Sequence, residues 1–324
     1  AFDPLDQTHF RATISFAIET TGRDLLQFVN VVFGNISIKP GIRVERLELP
    51  ERWLQTFRGP RFGRDGLRNL LHVLDRPLLC TALKPMGFST AELARLAYQF
   101  ALGGIDLIKD DHGLADQEFA PFEERVERCV EAVARANQET GFRCVYVPNI
   151  TGAHDAIVER ALFAKRYGAG GLLIAPGLTG LDTMRCLADD DQIALPIMSH
   201  PAFQGSFVTN QDSGVSHYAL FGQIARLAGA DASIFPNYGG RFSFSRAECQ
   251  SIALSTAAPM GHIKPIFPTP GGGMSLARVP EMIETYGHQV IFLIGGDLYR
   301  HSSDLVASCR HFRRLVEKSG ATHE

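Results

Sequence analysis

A lysine, two aspartates and a histidine stand in a row at Lys109-Asp110-Asp111-His112, directly after the short apolar run 105–108. Charges crowded at the end of a buried strand are either ordinary solvated residues or a site whose groups perturb one another. As a site, two carboxylates suit a divalent cation, and Mg²⁺ prefers such hard oxygen ligands. Lysine joins such a set only when its amine is neutral or has been made anionic. His112 is a poor Mg²⁺ ligand and reads instead as a general acid or base, or as a ligand to a softer metal. Lys84 ends a neighbouring apolar run. A lysine that is desolvated or packed against other cations loses its proton and becomes a base or nucleophile. A Schiff-base aldolase also needs such a lysine, but the Asp-Asp pair favours a metal.

Other groups recur at comparable places. His200 follows the run 195–199, and Asn149 follows 144–147. His200 reads as a catalytic group or a satisfied core residue, and Asn149 as a substrate hydrogen-bonder or a turn residue. Arg241 follows two glycines in a loop, where it could fold over a bound anion or simply be solvated. Gly271-Gly272-Gly273 and Gly295-Gly296 would let backbone N–H groups approach a phosphate closely, beyond merely making turns. Together they imply a small phosphorylated substrate.

These residues share a position once the elements carrying them are drawn. Eight short apolar runs, 77–83, 105–108, 144–147, 171–175, 195–199, 232–235, 263–267 and 290–294, have strand length and little polar alternation. Segments of helical periodicity separate many of them, at 90–102, 122–140, 153–167, 216–227 and 246–256, with 302–318 after the last. Strand then helix, repeated, predicts an α/β protein with a C-terminal (β/α)8 TIM barrel over residues 76–324. Active sites of that fold gather at the C-terminal ends of the strands, where Lys84, Lys109, Asp111, His112, Asn149, His200 and the glycine pairs all fall. Residues 1–75 have another texture. Polar and apolar residues alternate at 8–18 and 42–49, flanking a mixed apolar segment at 24–34, which predicts a small N-terminal α+β domain. Trp53 reads as a packing residue.

Composition narrows the function classes. The chain has 324 residues, 45% hydrophobic and 21% charged, with a net charge of -3, which argues against a nucleic-acid surface. Without an apolar run of membrane-spanning length or a signal-like start, a cytoplasmic protein is expected. Six cysteines are scattered singly, as in reduced buried thiols rather than a zinc site or disulfide framework.

The segments Thr81-Ala82-Leu83-Lys84-Pro85 and Gly104-Ile105-Asp106-Leu107-Ile108-Lys109-Asp110-Asp111 resemble the ribulose-bisphosphate carboxylase (RuBisCO) large-chain superfamily. Val32-Phe33-Gly34-Asn35 and Thr56-Phe57-Arg58-Gly59-Pro60 extend the likeness upstream, although the N-terminal part is shorter than the family's. The resemblance implies that CO₂ carbamylates Lys109, which then binds Mg²⁺ together with Asp111. It also implies that Lys84 handles protons during enolisation, that His200 lies beside the substrate, and that Gly272, Gly273, Gly295 and Gly296 approach a phosphate. Asn35 would reach the active site of a partner subunit, so a homodimer or higher homo-oligomer is expected.

Departures from the pattern are as informative. His112 stands where a carboxylase has a third acidic ligand, Met86 where it has a second lysine, and Pro201 where it has an arginine for a second phosphate. They imply a RuBisCO-like protein that does not fix CO₂ and acts on a singly phosphorylated keto-sugar or sugar acid. The leading expectation is a carbon–carbon lyase that decarboxylates a 3-oxo-isoapionate 4-phosphate type of substrate. The alternative is a methionine-salvage enolase or methylthioribulose-phosphate isomerase. A non-catalytic regulatory relative, its metal lost through His112, is the reading of another class.

Overall fold

The computed structural model describes residues 2–320. Eight parallel strands form the barrel: β1 Leu78–Leu83, β2 Leu107–Asp110, β3 Val145–Val147, β4 Leu172–Ile174, β5 Ile197–Ser199, β6 Ala232–Pro236, β7 Phe267–Gly271 and β8 Ile291–Leu293. Ladders run in the orders β8-β1-β2-β3 and β7-β6-β5-β4. One seam closes through a parallel bridge between Asn149 and Leu173, and at the other β7 and β8 lie side by side. Side chains alternate across each strand. Accordingly Cys80, Leu107, Leu173, Met198, Ile234, Phe267 and Ile291 fill the lumen, while Leu79, Ile108, Ile174 and Phe235 pack in the outer cluster with the helices.

The floor of the barrel is closed by helix α1 (Gly63–Leu71), whose Leu67 and Leu71 join the lumen cluster. Helices α2 (Thr90–Leu102) and α3 (Phe122–Thr140) follow β1 and β2. In α2, Ser89 and Glu92 form a reciprocal capping box that satisfies donors of the first turn.

Three segments differ from the sequence reading. The seventh strand begins at Phe267, four residues after the predicted start, because the carbonyls before it are taken by arginines. Arg226 donates to those of Ile263 and Lys264, and Arg64 to that of Ile266. The segment 216–227 is helical but contains a π-helical stretch, Ala219–Ile224. In the N-terminal region the alternating segments barely pair. Among the described residues Phe10–Ala12 pairs only with Phe2–Pro4, and Arg43–Val44 only with Gly214–Val215. Beyond Val44 a side chain replaces the ladder, since Gln223 accepts from Leu47 N and donates to Leu47 O. The mixed segment 24–34 contains the helix Leu25–Phe33, capped by the Asp24 carboxylate. It is tied down by Trp53, whose ring lies 4.5 Å from Phe28 and 4.6 Å from Phe57.

Candidate active site

The C-terminal ends of β1, β2 and β5 bring five of the expected residues together. Lys84 Nζ lies 3.1 Å from Asp111 Oδ2. His112 Nδ1 lies 3.3 Å from Asp111 Oδ1, which also accepts a 3.0 Å hydrogen bond from the Gly113 N–H. The His112 ring stacks on His200 with centroids 4.8 Å apart and planes 6° from parallel. Lys109 is buried one step deeper, and its Nζ donates to the Asp110 carbonyl at 2.9 Å. Strand parity explains the order: Leu107, Lys109 and Asp111 share the lumen side, and Asp110 faces the helices.

Electrostatics divide these groups. Burial pushes the Lys109 ammonium below its ordinary value, with Lys84 acting in the same direction. Burial works against ionised Asp111, yet the Gly113 N–H and the Lys84 charge hold its carboxyl below the ordinary range. His112 is lowered by burial, then by Lys109 and Lys84, against the pull of Asp111. His200 is lowered to about 2, first by burial and then by Lys109 and His112. Because His200 Nδ1 accepts the Ala202 N–H at 3.2 Å, the neutral ring carries its proton on Nε2.

Among the described residues no three His, Cys, Asp or Glu side chains converge in a way that could hold a metal ion. Asp111 and His112 offer two donors, and Lys109 is a buried amine with a depressed pKa beside them. The Asp111 carboxylate fits a Mg²⁺ ion once Lys109 carries a carboxylate as well, while the His112 nitrogen is a donor better suited to a softer metal.

The remaining expected residues are placed differently. Asn149 is buried, and both amide hydrogens are used within the chain, by the carbonyls of His112 at 3.0 Å and Leu114 at 2.9 Å. Arg241 is exposed, its guanidinium 4.9 Å from the Phe242 ring centroid, and it contributes to the field at His112. Gly272 and Gly273 have φ of 70° and 95°; a Cβ on Gly272 would meet the Phe242 ring at 2.8 Å, and one on Gly273 the Gly240 Cα at 2.5 Å. A Cβ on Gly295 would meet nothing within 4 Å, and Gly296 opens the short helix Gly296–His301. Asn35 is exposed at the start of a 3-10 turn after Leu25–Phe33.

Sequence reasoning took Asp110 with Asp111 as the carboxylates of a cation site and missed Arg125 and Tyr146; the structure instead turns Asp110 away from the mouth into a buried cluster with both, behind β2. A signal existed: Arg125 interrupts the apolar stripe Phe122, Val126, Cys129 and Val133 of α3, where a cation needs a buried partner.

The catalytic-domain profile described as "Ribulose bisphosphate carboxylase large chain" matches residues 64–239. A protein of Rhodospirillum rubrum named 5-methylthioribulose-1-phosphate isomerase is 42% identical over 290 residues, which cover 89% of this chain and 76% of that protein. A protein of Geobacillus kaustophilus named 2,3-diketo-5-methylthiopentyl-1-phosphate enolase is 35% identical, covering 95% of this chain and 75% of its own. The crystal structure of a RuBisCO-like protein from Rhodopseudomonas palustris superposes with a TM-score of 0.91 at 38% identity, covering 99% of this chain and 86% of that one. These relatives are named as an isomerase and an enolase, and they lend no support to the decarboxylation of a 3-oxo-isoapionate 4-phosphate. No helix among the described residues is long and apolar enough to cross a membrane. With the barrel, the strand-end lysines and these similarities in place, the chain belongs to the ribulose-bisphosphate carboxylase large-chain family.

Proposed function

We propose that this chain is a Mg²⁺-dependent isomerase that enolises a singly phosphorylated methylthio-ketose, with 5-methylthioribulose 1-phosphate as substrate. The observation that carries the reading is the Lys84–Asp111 contact beside buried Lys109 at the ends of adjacent strands. Moving a proton between neighbouring carbons of a ketose needs a base, a hydrogen-bond donor and stabilisation of the charge that develops on oxygen. Lys84 is the proton carrier, reaching the mouth from β1. His200 is neutral with its Nε2–H free to donate, which suits orienting a substrate carbonyl or hydroxyl. Asp111, and Lys109 after reaction of its neutral amine with CO₂, would hold the cation, with His112 as the third contact. When bound, Mg²⁺ supplies Lewis-acid stabilisation of the developing negative charge.

Gly272, Gly273, Gly295 and Gly296 are assigned to the phosphate, with exposed Arg241 able to close over the anion. The protein would act as at least a homodimer, with Asn35 completing a partner's site. The second reading, a 2,3-diketo-5-methylthiopentyl-1-phosphate enolase, rests on the Geobacillus relative and needs the same groups.

The test is ³¹P and ¹³C NMR with Mg²⁺ and bicarbonate, offering each methylthio phosphate in its own tube. Turnover of 5-methylthioribulose 1-phosphate is expected. Turnover of the diketone alone would move the assignment to the enolase, and silence in both tubes would remove it.

A further inference from the structure

We infer that the buried Asp110–Arg125 pair, with Tyr146 and Asn149, is a positioning hub that holds the loop carrying Asp111 and His112 in register with the mouth. The pair is fully buried, with Arg125 Nε 3.2 Å from Asp110 Oδ2. Buried ion pairs are poor stabilisers, because desolvation offsets their attraction and apolar replacements of similar volume often do as well. The rest of this cluster's hydrogen bonding shows what an apolar replacement would lose. Arg125 Nη2 donates to the Ala115 carbonyl at 2.7 Å and Nη1 to that of Ala120 at 2.5 Å. The Tyr146 hydroxyl donates to Asp110 Oδ1 at 2.6 Å, and the Asn149 N–H to Oδ2 at 2.9 Å. Asn149 then passes this reference on through its two amide donors to the carbonyls of His112 and Leu114.

Four carbonyls between positions 112 and 120 are thus tied to one carboxylate, Asp110, which never faces the lumen. Residues 111–115 have no helix or strand to fix them; Gln117 ties Gly113 and Ala115 locally, and the hub's bonds are what tie the loop to β2, β3 and α3. A shift of about 1 Å in a reacting group can cost about 100-fold in rate, and the Lys84–Asp111 contact spans this loop and β1. Asn149 is by this reading a positioning residue rather than a substrate ligand.

A control exists in the same molecule. Arg226 is as buried as Arg125 but donates to four carbonyls, those of Ser255, Ala258, Ile263 and Lys264, where Arg125 donates to two and to the Asp110 carboxylate, and it lies away from Asp111 and His112.

The experiment compares wild type, Arg125→Lys, Tyr146→Phe and Arg226→Lys. It measures Mn²⁺ affinity by calorimetry in bicarbonate, amide hydrogen exchange of residues 111–120, and kcat against KM on 5-methylthioribulose 1-phosphate. Arg125→Lys is expected to weaken Mn²⁺ about 10- to 100-fold, the size seen for groups that orient metal ligands. It should also speed exchange across 111–120 and lower kcat more than it raises KM. Arg226→Lys should lose melting temperature yet leave Mn²⁺ affinity within about twofold, since distant sites act independently. Equal Mn²⁺ losses in both arginine variants, or unchanged exchange at 111–120 in Arg125→Lys, would overturn the hub. If Arg125→Lys does not fold, Tyr146→Phe carries the same comparison with a smaller expected loss, and no faster exchange there would likewise overturn it. The inference rests on the proposed metal site only for its functional consequence. Should wild type bind no Mn²⁺, that site falls, and the exchange data alone decide the hub.

Discussion

At the floor of the barrel Asp231 accepts N–H hydrogen bonds from Phe62, Gly63 and Ile197, whereas at the mouth Asp111 accepts one from Gly113 and faces the Lys84 ammonium. Three N–H donors do not outweigh burial at the floor, and the Asp231 carboxyl is raised to about 6. At the mouth the Gly113 N–H together with the Lys84 ammonium does outweigh it, and Asp111 is lowered. The floor spends its polar groups on tying segments together, as Arg68 does by donating to the carbonyls of Val73, Arg76 and His288. The mouth instead leaves Lys84, His112 and the His200 Nε2–H without a closed set of partners. A group held for structure is saturated by the backbone, and a group held for chemistry keeps an open valence.

The sharpest way to break this contrast is Lys109→Met. If the mouth depends on a lysine-borne ligand, turnover should fall by about 1,000-fold or more, with Mn²⁺ binding lost and melting temperature preserved or raised. Retained activity would sink the metal assignment. Next, His200→Asn should lower kcat by about 100-fold, as for loss of a proton-handling or donor group. Because the wild-type ring stays neutral down to about pH 2, no pH–rate limb near 6.5 should belong to it. A limb there that vanishes in the variant would contradict the geometry.

Third, Gly273→Ala should cost about 1–3 kcal/mol in urea unfolding, since φ is 95° and the Gly240 backbone occupies the space of a Cβ. An accompanying rise in KM without a change in kcat would mark the phosphate end.

The effects smallest at neutral pH lie in the acid stability curve, where mouth and floor have opposite signs. Unfolded His200 binds a proton below 6.5 while the folded ring does not, so its contribution is present above 6.5 and lost as pH falls toward 2. Asp231 is protonated more readily when folded. Its contribution is present below 3.8 and lost as pH rises through about 6. His200→Gln should therefore flatten the acid loss and Asp231→Asn steepen it, each by up to about 1.4 kcal/mol per pH unit. Urea titrations at a series of pH values would show parallel curves if the two ends did not differ.

The sequence made parts of this contrast legible and hid others for physical reasons. Periodicity located 90–102 and 122–140 to the residue, because each has a continuous apolar stripe and a clear end at Gly103 or Gly141. The Lys-Asp-Asp-His run was readable as a site because charge at a buried strand end is conspicuous. Helix α1 was not read, since its apolar residues Leu67, Leu70 and Leu71 are confined to its second half, after a polar, glycine-containing first turn. The start of β7 was misplaced because Pro268 and Pro270 disguise a strand, while Ile263 and Ile266 imitate one. Asn149 reads from sequence as a substrate hydrogen-bonder or a turn residue, because a side chain at a strand end does not reveal that its amide hydrogens go to the carbonyls of His112 and Leu114.

The contact of Gly240 with Gly272 and Gly273 couples two loops of the mouth. The loops after β6 and β7 meet backbone to backbone, so no side chain can be admitted at Gly240 or Gly273 unless the facing loop moves away. Variation in one is conditional on the other. In any attempt to recombine this barrel with another, the two loops would have to be inherited as a single segment pair, however freely their neighbours were exchanged.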